Sequence, residues 1–181
     1  LTLATGVHPD GTCPSGVIDP TVLPFEDQAE EGASDWLPDH QDSPAYFVLL
    51  LHEYLAWTGD TALLNEHLDD GRTLWDCAQG CLNRLLAQPA KDRAPNDWAD
   101  NVLRSQWVSY DLALLAGALE AGAAIARHLN DAATASSYQV DARHIRDLLV
   151  IHGWDDAKGY LVDYRRLEGS RERPFVEDHL A

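Results

Sequence analysis

The sequence predicts an all-α fold of αα-hairpins joined by long loops, with a short β-hairpin near its end. Three observations predict it. Apolar residues recur at helical spacing through four stretches of chain. The links inside each pair of stretches are short, "TGD" at 58–60 and "LND" at 129–131, whereas the segments between pairs are long, polar and tryptophan-bearing. One late stretch, "YLVDY" at 160–164, alternates as a strand does.

Residues 1–41 form a loop-rich lead-in. The run "GVHPDGTCPSGVIDPTVLP" is dense in glycine, proline, aspartate and threonine, which favour turns for separate backbone reasons. A loop this long inside a compact domain is often functional. The first hairpin covers 42–88. Asp42 or Ser43 can cap its first helix, and Pro44 suits the first turn. Phe47, Leu50, Leu51, Tyr54 and Leu55 recur at helical spacing, and Gly59 stops the helix. The second helix starts at Asp60 or Thr61 and runs to about Gln88. Leu63, Leu64, His67, Leu68, Leu74, Ala78, Leu82 and Leu85 give it a broken apolar stripe, with Gly71 a candidate interruption.

A loop follows at 89–104, and the second hairpin covers 105–152. Its first helix spans about Gln106 to Leu129, with Leu112, Leu115, Ala116, Leu119, Gly122, Ala123 and Ala126 along one side. So many small residues imply close approach between helices. "NDA" at 130–132 reads as a stop and a new cap, and the next helix covers about Ala132 to Leu149. Tyr138, Ala142, Ile145, Leu148 and Leu149 face inward. In the last segment, 153–181, Lys158-Gly159 reads as a turn and "PFVEDHLA" as the start of another helix.

The 181 residues, 45% hydrophobic, suffice for one domain with a real core. The chain begins at Leu1 and contains no methionine, which suggests a processed product or a piece of something longer. No run of ~18 apolar residues predicts a membrane span, and no signal peptide is visible. Thirty acids against thirteen bases leave a net charge of −17, which repels nucleic acid and anionic membranes but admits neutral sugars. Cys13, Cys77 and Cys81 make no disulfide framework; Cys77 and Cys81 share a helix face and read as buried thiols rather than as a metal site with His52 and His67. Few cysteines fit a reducing compartment, and a cytoplasmic location is expected. No cofactor and no metal is expected.

The chemistry concentrates in "PNDWADNV", residues 95–102, which sets Asp97 and Asp100 around Trp98. A solvated connector has no need of the indole; a sugar site uses carboxylate, amide and indole together. Trp98 can stack on the apolar face of a sugar ring or anchor the loop to the core. Asn96 and Asp97 can bond hydroxyls or shape the turn. Gln106 and Trp107 are candidate walls or packing residues. "SDWLPDHQD" at 34–42 is a second candidate wall: Asp35, Trp36 and Asp39 combine acid with indole again, with Asp42 read as a helix cap. His40 between Asp39 and Asp42 is a weak metal pattern. Asp155, Asp156 and Asp163 organise turns, and His144 is exposed or a satisfied core histidine.

Three stretches in order carry a family resemblance. "SDWLPDHQDSPAYFVLLLHEYLAWTGDTALL", "NDWADNVLRSQWVSYDLALLAGALEAGAAIA" and "GWDDAKGYLVDY" together resemble the six-hairpin glycosidases, and most closely the amylo-α-1,6-glucosidase or glycogen-debranching-like enzymes. The resemblance covers most of residues 32–181. It implies part of an (α/α)6 toroid barrel, a partial catalytic domain whose remaining hairpins come from chain outside this one. It also implies a carbohydrate substrate and inverting hydrolysis of α-glucosidic bonds. Asp100, in "WAD", takes the general-acid position by resemblance, against a plain reading in which it caps the following helix. An acid working at neutral pH needs its pKa raised above ~3.9, by apolar cover from Trp98 and Trp107 or by the charge of Asp97. Asp97 and Asp100 are three residues apart, whereas an inverting pair stands ~6.5–9.5 Å apart and commonly comes from separate segments. The family's second carboxylate lies later in the barrel. An α-L-rhamnosidase-like barrel and a non-catalytic helical-repeat module are the alternatives.

Overall fold

The computed structural model describes residues 2–16, 40–88 and 107–165. These parts are mostly helical. A four-residue helix α1 (Thr2–Thr5) precedes α2 (Ser43–Thr58), α3 (Leu74–Ala87), α4 (Ser109–His128) and α5 (Ala132–Gly153). Four two-residue strands complete them: β1 (Trp107–Val108), β2 (Trp154–Asp155), β3 (Tyr160–Leu161) and β4 (Tyr164–Arg165).

Helix α2 ends where Gly59 takes the left-handed conformation at φ 68° and returns its N–H to the Leu55 carbonyl. The continuous second helix expected from residue 60 to 88 is not formed. A 3-10 turn (Thr61–Asn65) is followed by a reversal at Gly71, φ 84°, and an isolated bridge between His67 and Thr73. The chain then restarts as α3 through a capping box. Thr73 Oγ1 accepts from the Asp76 N–H at 3.0 Å, and the Asp76 carboxylate accepts from the Thr73 N–H at 2.8 Å. The Thr73-x-x-Asp76 pattern was the signal for this break. At the other link, Asn130 is left-handed at φ 60°, and Asp131 caps α5 by accepting from the Thr134 N–H at 3.0 Å. The expected stop and cap at 130–132 are therefore present, and α5 runs on to Gly153.

Pairs of residues fix the helix directions. Asp42 meets Tyr110, and seven residues further along each chain Leu49 meets Gly117, so α2 and α4 run parallel. Trp107 stacks on His152, while Gly122 packs on Tyr138, so α4 and α5 run antiparallel. The core lies among α2, α3, α4 and α5, with Leu64, Leu82, Leu112, Leu115, Leu119 and Ile125 fully buried. The small residues of α4 admit this packing: a Cβ on Gly122 would lie 2.5 Å from the Leu82 methyl and 3.3 Å from the Tyr138 ring. Helix α4 is long and apolar enough to cross a membrane by length and composition alone, as a buried core helix also is; its window is 67% buried.

The expected inward faces hold on α4, where all seven named positions are buried, and on α5 at Tyr138, Ala142 and Ile145. They hold only in part on α2. Phe47, Leu51 and Leu55 are buried, but Leu50 is 55% and Tyr54 42% exposed. With Tyr46 and Trp57 they form a second apolar stripe that no described element covers.

Candidate functional site

The starts of α2 and α4 are bonded together. Asp42 occupies the N-cap position of α2, but its backbone is helical at φ −83°, ψ −21°, and its side chain makes no capping bond. The carboxylate instead accepts the Tyr110 hydroxyl from α4 at 2.9 Å. The reading of Asp42 as a helix cap is thus corrected: a helical Asp42 backbone aims the side chain across to α4 rather than back at the N–H groups of the first turn. Asp42 is buried, and Tyr110 in turn bonds Tyr46 through their hydroxyls at 3.0 Å. Burial, the bond that Tyr110 donates to Asp42, and the Asp42 charge hold the Tyr110 phenol well above its ordinary value. It stays a proton donor throughout the working pH range of proteins.

A second link joins α4 to the end of α5. Trp107 and His152 stack with centroids 3.7 Å apart and planes 9° from parallel. β1 pairs antiparallel with β4, and the Ser109 N–H donates to the Asp163 carbonyl at 2.8 Å. Trp107 is partly buried, packs against the core, and its buried Nε1 meets no acceptor among the described residues. The same end carries the β2–β3 hairpin. There Asp155 accepts from the N–H groups of Ala157 and Lys158, Gly159 turns at φ 78°, and Asp156 accepts from the Trp154 indole at 3.0 Å. The turn roles expected of Asp155 and Asp156 are met, and Asp163 acts through its backbone.

Of the residues singled out for carbohydrate chemistry, Trp107 alone is described. Asp35, Trp36, Asp39, Asn96, Asp97, Trp98, Asp100 and Gln106 lie outside the described residues. Sequence reasoning missed the roles of Tyr46, Tyr110 and His152. Tyr46 had a weak signal, one helical turn from Asp42. Tyr110 and His152 had none, because their partners lie 68 and 45 residues away.

The thiols sit elsewhere. Cys13, Cys77 and Cys81 form no disulfide among the described residues and are buried in the core, Cys13 on the N-terminal segment and the other two on α3. That segment is tied to the reversal before α3 by Arg72 Nη2 donating to the Val7 carbonyl at 2.6 Å, and to α3 itself by Arg84 pairing with Asp10 at 3.2 Å. Cys81 is pushed far up by its hydrogen bond with Cys13 and by burial, and burial raises Cys77. Raised in this way, Cys77 and Cys81 are held as protonated thiols. His67 bonds the Gly71 carbonyl at 2.9 Å and His144 is exposed. Among the described residues no group of three His, Cys, Asp or Glu side chains is arranged to hold a metal.

No protein-family model matches this chain, and no curated protein matches it.

Proposed function

We propose that the chain is part of the catalytic domain of an inverting glycoside hydrolase that cleaves α-glucosidic bonds of an oligosaccharide or glucan. In this reading its helices are consecutive hairpins of an (α/α)6 toroid, with α2 and α4 side by side in the inner ring and α5 outside. The observation that carries the reading is the 2.9 Å bond between Asp42 and Tyr110. It joins the starts of two parallel helices, and each start is preceded in sequence by a segment combining aspartate with tryptophan, "SDWLPD" before α2 and "PNDWAD" before α4. Chemistry-bearing segments from distant parts of the chain therefore lead into one end of the bundle. Cytoplasmic location and independence from cofactors belong to the same reading.

The chemistry follows from two carboxyl groups on opposite faces of a glycosidic bond. Asp100 protonates the departing oxygen. A second carboxylate, from a later hairpin, activates the water that attacks the anomeric carbon from the other side. Trp98, Trp36 and Trp107 offer apolar surface to sugar rings, while Asp97, Asp35, Asp39 and Gln106 bond hydroxyls. Apolar cover from the indoles keeps Asp100 protonated.

The exposed stripe Tyr46, Leu50, Tyr54 and Trp57 on α2, with Val140, Val150 and Ile151 exposed on α5, also suits a non-catalytic helical-repeat module. One experiment separates the readings. The complete protein, with the hairpins that this reading places outside the chain, is incubated with isomaltose, maltotriose and 4-nitrophenyl α-L-rhamnoside, and the first-formed anomer is followed by proton NMR. β-Glucose appearing first supports the proposal. Rhamnoside cleavage alone moves the substrate to the rhamnosidase-like alternative, and no turnover of any of the three favours the repeat module.

A further inference from the structure

We infer that the phenol oxygen of Tyr46 is a hydrogen-bond acceptor held ready for a hydroxyl of a neutral sugar, with Tyr110 and Asp42 as positioning residues behind it. The inference rests on the carbohydrate reading above and narrows it to uncharged sugars.

Counting protons carries the argument. A carboxylate only accepts, so the 2.9 Å contact between Asp42 and Tyr110 uses the single hydroxyl proton of Tyr110. The 3.0 Å contact between the two phenols must then use the proton of Tyr46, donated to the Tyr110 oxygen. Tyr46 has no further proton to give. What remains on its oxygen is lone-pair density, on a side chain 50% exposed and one turn from the helix start where "SDWLPD" leads in. The burial that keeps Tyr110 protonated keeps this polarity fixed.

An acceptor without a proton selects its ligand. A sugar hydroxyl donates to it. A phosphate or carboxylate oxygen has nothing to donate and also meets the Asp42 carboxylate one residue removed in the chain of bonds. The net charge of −17 opposes anions further. A phenol present only for packing would not need its hydroxyl; Tyr46 uses it to finish a directed relay that begins on a buried acid.

The test uses the complete protein, including the hairpins outside this chain, with isomaltose as substrate, and glucose and glucose 6-phosphate as inhibitors. Y46F should raise KM about 3- to 10-fold, the worth of one neutral hydrogen bond, and leave kcat within about 2-fold. Its melting temperature should match that of the unaltered chain. In the unaltered chain glucose should inhibit at about tenfold lower concentration than glucose 6-phosphate. Y110F frees the Tyr46 proton for donation, so this ratio should narrow. Turnover with KM unchanged in Y46F overturns the inference and leaves the hydrolase reading standing. Equal inhibition by the two sugars in the unaltered chain also overturns it, and decides the matter should Y46F fail to fold. A chain that neither cleaves isomaltose nor binds glucose overturns both.

Discussion

Trp107 and His152 stack face to face at 3.7 Å, locking the start of α4 to the end of α5. The stack closes the hairpin at the end opposite its three-residue link. The contact uses the faces of both rings, 9° from parallel. W107F should keep an aromatic face against His152 and change stability by less than about 1 kcal/mol. W107A should cost about 3 kcal/mol through lost aromatic burial. Urea unfolding of the two variants checks the difference.

The Asp42–Tyr110 bond has its own cost when broken. Y110F leaves a buried carboxylate short of one donor, and about 1–3 kcal/mol of stability should go with it. Y46F touches an exposed group and should be within about 0.5 kcal/mol of the unaltered chain. Should both variants unfold at the same denaturant concentration, the relay is not structural.

On the proposed hydrolase reading, D100N removes the proton that the departing sugar needs. The complete protein carrying it should lose about 10²- to 10⁴-fold in kcat on an unactivated glucan link, with KM little changed. Near-normal turnover would return Asp100 to a helix cap.

Two glycines of α4 predict opposite signs. Ala at Gly122 drives a methyl to 2.5 Å from Leu82 in a filled core and should destabilise by about 1–3 kcal/mol. Ala at Gly117 meets, among the described residues, only Leu49, at 3.9 Å, and should stabilise by about 0.5–1 kcal/mol through helix propensity. Chemical melts of G122A and G117A read both.

The capping box links α3 to pH. The N–H and hydroxyl of Thr73 hold the Asp76 carboxyl below its reference value of 3.8. A depressed acid contributes stability that is present above its unfolded pKa and lost as pH falls through the folded one. The contribution should therefore fade from about pH 5 downward and be gone well below pH 3.8. T73A should cost about 1 kcal/mol at pH 7 and less in strong acid, measured by urea unfolding at pH 7 and pH 3.

The fold was legible where local chemistry is enough. Periodicity located α2, α4 and α5, and α3 only as the later part of a longer expected helix. Gly59 ended α2, Asn130-Asp131 divided α4 from α5, and Lys158-Gly159 turned the hairpin, because a left-handed residue or a cap needs only its neighbours. The stretch from 60 to 88 was read as one helix because its apolar spacing continues across Gly71. The competing signal, Thr73-x-x-Asp76, restarts the chain three residues later. Leu50 and Tyr54 show the limit of periodicity: a stripe says that a face is apolar, not that something covers it.

By itself the sequence determined the helical class, the hairpin pairing and the acid-and-indole segments that suggest a sugar substrate. Each depends on spacing within a few turns. Only the tertiary structure decided that α2 and α4 run parallel with their starts joined, that Asp42 serves Tyr110 rather than its own helix, and that Trp107 lies on His152. Those contacts join residues 45 to 68 positions apart, and a hydrogen bond or ring stack across such a distance exists only once packing has brought the helices together.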